Sequence, residues 1–301
     1  KKLERCQMWY LKNIFFVPKF ASNLFLLKLS GLNSVESEVA LKKLLFLGRL
    51  ITNAKKAPIV QSLFKSRSES FFDDCISSIG SIPSIVEALC VYDLLDYFES
   101  WFSKSIFPTY VEWKTIVKTR IRKMEEIAWK SFCQDHTKMH IAQACLDNKS
   151  PYSYWAIANQ YPDLVSRLHI QVRLMGNFGL NGGIPWLCGT DGAVCFICKE
   201  GIETVNHFVL DCNYFRENFE LLWTHLTSRI INYNPSDGIQ IAEYITNLDR
   251  HHRVLLLLGG LSLPFDTATI TVITKFISSA VYKIYNLRIK RLRDMEAPWL
   301  T

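Results

Sequence analysis

Cys195-Phe-Ile-Cys198-Lys-Glu-Gly-Ile-Glu-Thr-Val-Asn-His207-Phe-Val-Leu-Asp-Cys212 is the stretch around which the chain is organised. Two residues separate the first two cysteines, eight separate Cys198 from His207, and four separate His207 from Cys212. Three soft thiolates and one imidazole in a short segment make up the donor set of a closed tetrahedral zinc site. The expected ligands to Zn2+ are Cys195, Cys198, His207 and Cys212. Four protein ligands leave no open position, so the expected metal is structural rather than catalytic. Cys188 and His225 rank below these four as substitutes. The competing reading makes Cys195 and Cys198 small buried hydrophobes and His207 a core histidine.

The local pattern agrees with a compact knuckle. Cys195 and Cys198 should flank a tight turn. Residues 203–210 predict a short helix with Thr204 near its start. His207 and Cys212 are five apart and do not share a face of an ideal α-helix, which places Cys212 just past the helix end. Phe196 and Phe208 are read as core in preference to base-stacking platforms, given their apolar neighbours.

Outward from the knuckle the period is helical. Phe215, Phe219, Leu222, Leu226 and Ile230 form one apolar stripe. Residues 235–238, Pro-Ser-Asp-Gly, read as a turn. A last helix over about 267–293 ends in Lys283, Arg288, Lys290, Arg291 and Arg293, cations that suit a helix C-terminus. Towards the N-terminus, a glycine-rich lead-in from Gly176 to Gly192 has no Gly-Lys-Ser/Thr ending and is no phosphate loop. Residues 168–174 fit a strand or one face of a short helix. Further helices are predicted over 3–16, from Ser22 to Gly31, and beyond a capping box at Asn33–Glu36. Leu3, Cys6, Tyr10 and Ile14 should face inward on the first, and Val39, Leu44, Leu47 and Ile51 on the third. A Ser-rich linker is expected over 66–84, an acidic helix over 84–102, and a helix marked by Trp113, Val117, Ile121, Met124 and Ala128. The fold class is therefore mainly α, a helical array with a small zinc-stabilised knuckle near the C-terminal third.

The 301 residues are 49% hydrophobic and 21% charged, ordinary for a globular chain with room for more than one core. The nine cysteines are scattered apart from the cluster. With no secretory leader pattern at the start, they point to a reducing intracellular setting, nucleus or cytoplasm, rather than to disulfides. Lys1 opens within a helical pattern, as expected of a fragment of a longer protein. Neither 254–263 nor 270–285 is long and apolar enough to cross a membrane. The net charge of +7 is uneven: residues 1–67 carry 13 Lys/Arg against 3 acids, and residues 68–112 carry 1 against 8. A basic first segment suits a polyanionic partner. Lys114, Lys118 and Arg122 recur every fourth residue and could track phosphates; the alternative is a solvated helix face.

No catalytic set emerges. Gly-x-Ser-x-Gly and His-Glu-x-x-His are absent, and Asp73-Asp74 lacks flanking strands and reads as an acidic helix start. The chain is therefore not expected to be an enzyme or to take a small-molecule substrate.

The spacing Cys195-x2-Cys198-x8-His207-x4-Cys212, with Glu203-Thr204 before the histidine, resembles the zinc-binding segment near the C-terminus of non-LTR, LINE-like retrotransposon reverse transcriptases. Val172-Arg173-Leu174 before it, and Tyr214 and Arg216 after it, are similar to that family's flanks. Residues 4–14, Leu29-Ser-Gly31-Leu32 and residues 40–50 resemble the helical region that follows the polymerase domain. The likeness spans residues 1–230 loosely; the zinc spacing is its specific part.

The resemblance implies a nucleic-acid-binding tail, with RNA or DNA as partner, attached to a larger polyprotein lying N-terminal to it. That family's polymerase aspartate motif and its endonuclease are missing from these residues. The expected organisation is a basic helical, thumb-like region (1–66), a linker and acidic helix (67–112), a helical segment with the glycine-rich lead-in (113–190), the metal segment with its following helix (191–231), and a helical end (232–301). The cations expected to meet phosphates are Lys42, Lys43, Arg49, Lys114, Lys118, Arg122, Lys290 and Arg291. The alternative is a zinc-stapled helical scaffold for protein partners, or a relic without function.

Overall fold

The computed structural model describes residues 2–53, 58–74, 80–147, 160–181 and 193–295. Among them are thirteen α-helices and no named strand. The helices are α1 (Lys2–Ile14), α2 (Asn23–Ser30), α3 (Val35–Thr52), α4 (Pro58–Asp74), α5 (Ser81–Val91), α6 (Leu95–Lys104), α7 (Tyr110–Asp135), α8 (His140–Asp147), α9 (Val165–Met175), α10 (Arg216–Tyr233), α11 (Gly238–Thr246), α12 (Arg250–Leu257) and α13 (Thr267–Asp294). The helical array read from the apolar period is what forms.

The chain divides into two compact units: Lys1–Gln7 with Leu32–Ser131, and Met8–Gly31 with Phe132–Thr301. The division falls inside α1 and α7 and cuts across the five stretches read from composition, since residues 8–31 of the basic first stretch belong to the second unit.

The core of the first unit joins Leu44 and Leu47 of α3, Ile85 and Leu89 of α5, Phe98 and Trp101 of α6, and Trp113, Val117 and Ile121 of α7. Trp113 is wholly buried and its indole N–H donates to the Leu44 carbonyl at 2.7 Å. That approach needs Gly48: a Cβ there would lie 2.2 Å from the indole ring. Caps fix the helix starts. Ser34 Oγ accepts from Ser37 N–H at 3.0 Å at the head of α3. Thr109 and Glu112 close a reciprocal capping box before α7.

Several boundaries and faces differ from the sequence expectation. The first half of the expected linker is helical, because α4 runs to Asp74; Asp73-Asp74 therefore ends a helix rather than starting one. Residues 75–79 of that linker lie outside the described residues. The single acidic helix is two, α5 and α6, separated where Asp93 takes a left-handed φ of 54°. On α1 the inward face is Met8 and Leu11, while Leu3, Cys6, Tyr10 and Ile14 are exposed. On α3, Ala40 rather than Val39 turns inward. Late in α7, Met124 and Ala128 are exposed and Trp129 is buried. The cap of α3 is Ser34 with Ser37, one residue later than the predicted box.

In the second unit, residues 168–174 are helical within α9. The buried Gln171 of α9 ties two elements together, donating to the Leu257 carbonyl of α12 at 2.6 Å and accepting from Ser278 Oγ of α13 at 2.9 Å. The stripe Phe219, Leu222, Leu226 and Ile230 of α10 is buried as its period predicts. Helix α11 folds back closely at Gly238, where a Cβ would lie 2.7 Å from Ile231 Cα. Asp249 and Asp266 cap α12 and α13 by accepting backbone N–H groups. Among the described residues, no helix is long and apolar enough to cross a membrane.

Candidate metal centre

The knuckle is assembled from two short pieces. The first is a turn over residues 195–199, closed by Lys199 N–H to the Cys195 carbonyl at 2.8 Å. Lys199 sits in the left-handed region at φ 61° and lets the chain reverse. The returning segment is held by the isolated antiparallel bridge Val194–Ile202, with Cys195 N–H on the Gly201 carbonyl at 2.7 Å and Glu203 N–H on the Ala193 carbonyl at 2.8 Å. The second piece starts at Thr204, whose Oγ1 accepts from His207 N–H at 3.2 Å.

The helix beyond Thr204 is not an α-turn throughout. Residues His207–Asp211 wind as a π-helical turn, with Cys212 N–H on the His207 carbonyl at 2.7 Å. In an α-helix, residues five apart point to different sides. The wider turn brings residue 212 back over residue 207, so imidazole and thiol converge. Cys212 itself is extended (φ −69°, ψ 110°) and lies just past the turn, as its spacing predicts.

One donor atom from each of Cys195, Cys198, His207 and Cys212 lies within 4.8 Å of all the others, close enough to hold a metal ion. His207 Nε2 is 3.2 Å from Cys198 Sγ. A tetrahedral ion with bonds of about 2.0–2.3 Å needs donor–donor edges of about 3.5–3.8 Å, so small side-chain movements close the set around an ion. Cys195, His207 and Cys212 are buried and Cys198 is partly so.

The backbone around the sulfurs favours thiolate ligands. Backbone N–H groups of Ile197 and Cys198 point at Cys195 Sγ, that of Glu200 at Cys198 Sγ, and that of Tyr214 at Cys212 Sγ; each favours the charged sulfur. The sulfurs also act on one another. The hydrogen bond to Cys212, together with burial, pushes the Cys195 thiol far up. The same bond lowers Cys212, and burial raises Cys198.

A feature outside the four ligands anchors the knuckle, and the sequence reading missed it. Glu203 is fully buried, and Arg288 of α13 is only 2% exposed. They form a bidentate pair, Nε–Oε1 at 2.8 Å and Nη2–Oε2 at 2.5 Å, and Asn181 N–H also donates to Glu203 Oε2 at 2.9 Å. Arg288 is thus no part of an exposed basic tail. Only its apolar neighbours on α13, Ile284 and Leu292 at helical spacing, hinted at burial. Asp211 pairs with Arg250 of α12, and Asn213 links Glu200 to Arg216 at the start of α10. Phe208 is buried edge-on to Phe215, Phe219 and Tyr285, which removes it as a stacking platform; Phe196 is half-buried.

Of the substitute ligands, His225 is exposed on α10 and outside the cluster, and Cys188 lies outside the described residues. So does the later part of the glycine-rich lead-in, residues 182–192.

The expected phosphate contacts fall in both units. Lys114, Lys118 and Arg122 are exposed along α7, and Lys42 and Arg49 are exposed on α3 with Lys43 half-buried. Arg49 donates to Tyr110 Oη at 2.9 Å and lies over its ring. Lys290 and Arg291 are exposed on α13, Arg291 above the Tyr214 ring. Lys42, Lys43, Arg49, Lys114, Lys118 and Arg122 belong to the first unit, and Lys290 and Arg291 to the second. No protein-family model, curated protein or solved structure matches this chain.

Proposed function

We propose that the chain is a zinc-stapled nucleic-acid-binding module, similar to the helical tail that follows the polymerase in non-LTR retrotransposon reverse transcriptases. The observation that carries the reading is the convergence of Cys195, Cys198, His207 and Cys212 at the spacing on which the resemblance rests. Three thiolates and an imidazole favour zinc over harder ions, and a closed donor set gives the metal a structural role. The ion, when bound, supplies folding free energy to the knuckle; the chain's own residues do the binding.

The exposed row Lys114, Lys118 and Arg122 supports a phosphate-tracking face, since exposed cations one turn apart can each meet a backbone phosphate. No catalytic role belongs to this reading. The test is a salt titration of binding to RNA and DNA by the zinc-loaded chain. Affinity should fall steeply with salt, by about 0.7 to 0.9 log units per log unit of salt for each phosphate contact. Lys114→Glu/Lys118→Glu/Arg122→Glu should flatten that slope. Negligible binding to both nucleic acids at low salt would sink the proposal.

A further inference from the structure

Helices α10 and α13 border an open groove of about 1160 Å³. Its lining on α10 runs from Asn218 to Tyr233, and on α13 from Val272 to Leu287, about 22 Å along each helix at 1.5 Å per residue. The floor is apolar, with Leu222, Val272, Phe276, Ala280 and Ile284. Leu221 and Leu287 on the rims are 54% and 47% exposed. Four basic side chains share this lining, His225, Arg229 and Lys283 exposed and Lys275 half-buried with Nζ over the Tyr161 ring, and among the described residues no acidic one does.

We infer that this groove docks an acidic amphipathic helix of a partner protein. A helix about 22 Å long lays one apolar stripe along such a floor, and carboxylates flanking the stripe meet the cations on the rims. The charge pattern selects among occupants. A second copy of this face would set cations against cations. A nucleic-acid strand would find walls that are mostly aliphatic, with Tyr233 and Phe276 the carbocyclic rings among them, and so few faces on which to stack successive bases. The inference stands apart from the nucleic-acid reading, which rests on other residues.

Two synthetic helix-stapled peptides of about 15 residues, matched to the groove length, test it. They share one leucine stripe; one carries Glu beside the stripe and the other Lys. Binding to the metal-loaded full chain is read by fluorescence anisotropy. The Glu peptide should bind at least about tenfold more tightly than the Lys peptide. Leu221→Asp, at an exposed position, should abolish binding while leaving the circular dichroism unchanged. Arg229→Glu/Lys283→Glu should reverse the preference between the peptides. Failure of both peptides to bind, equal binding of the two, or binding that survives Leu221→Asp would overturn the proposal. So would displacement of the Glu peptide by poly-uridine, or self-association that depends on Leu221.

Discussion

The Glu203–Arg288 pair lends itself to a double-mutant cycle. Arg288→Met keeps most of the side-chain volume but removes both bonds, at 2.8 and 2.5 Å, from a carboxylate with no exposure. Glu203 would then retain the Asn181 N–H at 2.9 Å, whereas Cys195 as a zinc-bound thiolate has no proton to give. Stranding a buried charge in this way costs about 3–5 kcal/mol. Glu203→Gln strands the guanidinium instead, while its amide oxygen can still accept from Asn181. The double variant buries no net charge and should cost no more than about the Arg288→Met single variant, giving a coupling of about 2 kcal/mol or more. The assay is urea unfolding of the zinc-loaded chain followed by circular dichroism, with m compared across the four proteins. If the two single losses add to within about 0.5 kcal/mol in the double variant, the pair is not a coupled, desolvated contact.

Other outcomes follow from the same structure. Cys198→Ser should lower the bound zinc measured by atomic absorption to near zero and unfold the knuckle, whereas His225→Ala should leave the zinc content unchanged. Gly48→Ala should destabilise the first unit. The added Cβ meets the buried Trp113 ring at 2.2 Å, and overpacking of about 1–3 kcal/mol outweighs the gain of about 1 kcal/mol in helix propensity, as thermal unfolding would report. Asp266 is held below the usual carboxylate range by Thr269 and the first N–H groups of α13. Its folded pKa is depressed, so its contribution is present above its unfolded value of about 3.9 and lost as pH falls through the lower folded value. Wild type should therefore exceed Asp266→Ala in stability near neutral pH, and the difference should shrink below about pH 4 in urea melts run across pH.

The legible parts of this chain were those set by local chemistry. Donor spacing located all four metal-ligand candidates, and the period of three to four residues located the buried stripe of α10, because both depend on neighbours in sequence. Thr204 and the placement of Cys212 beyond the turn were legible for the same reason. The π-helical turn was not, since no local propensity marks a wider winding that serves to bring two donors together. Arg288 was misread because a cation near a helix end has a sufficient local explanation, and its buried partner lies 85 residues away. Val39 and Ala40 exchanged places because a stripe of period 3.6 leaves the edge of an apolar face uncertain by one residue.

The separation of 85 residues between Arg288 and Glu203 bears on the order in which the second unit folds. The knuckle closes over the short interval from Cys195 to Cys212, and closing the longer loop costs about 1.4 kcal/mol more in chain entropy. On that cost, closure of the knuckle should be the local, early event, and docking of α13 onto Glu203 the later one that completes the unit. In a φ-value experiment, substitutions within the knuckle should slow folding, whereas Arg288→Met should act chiefly by speeding unfolding.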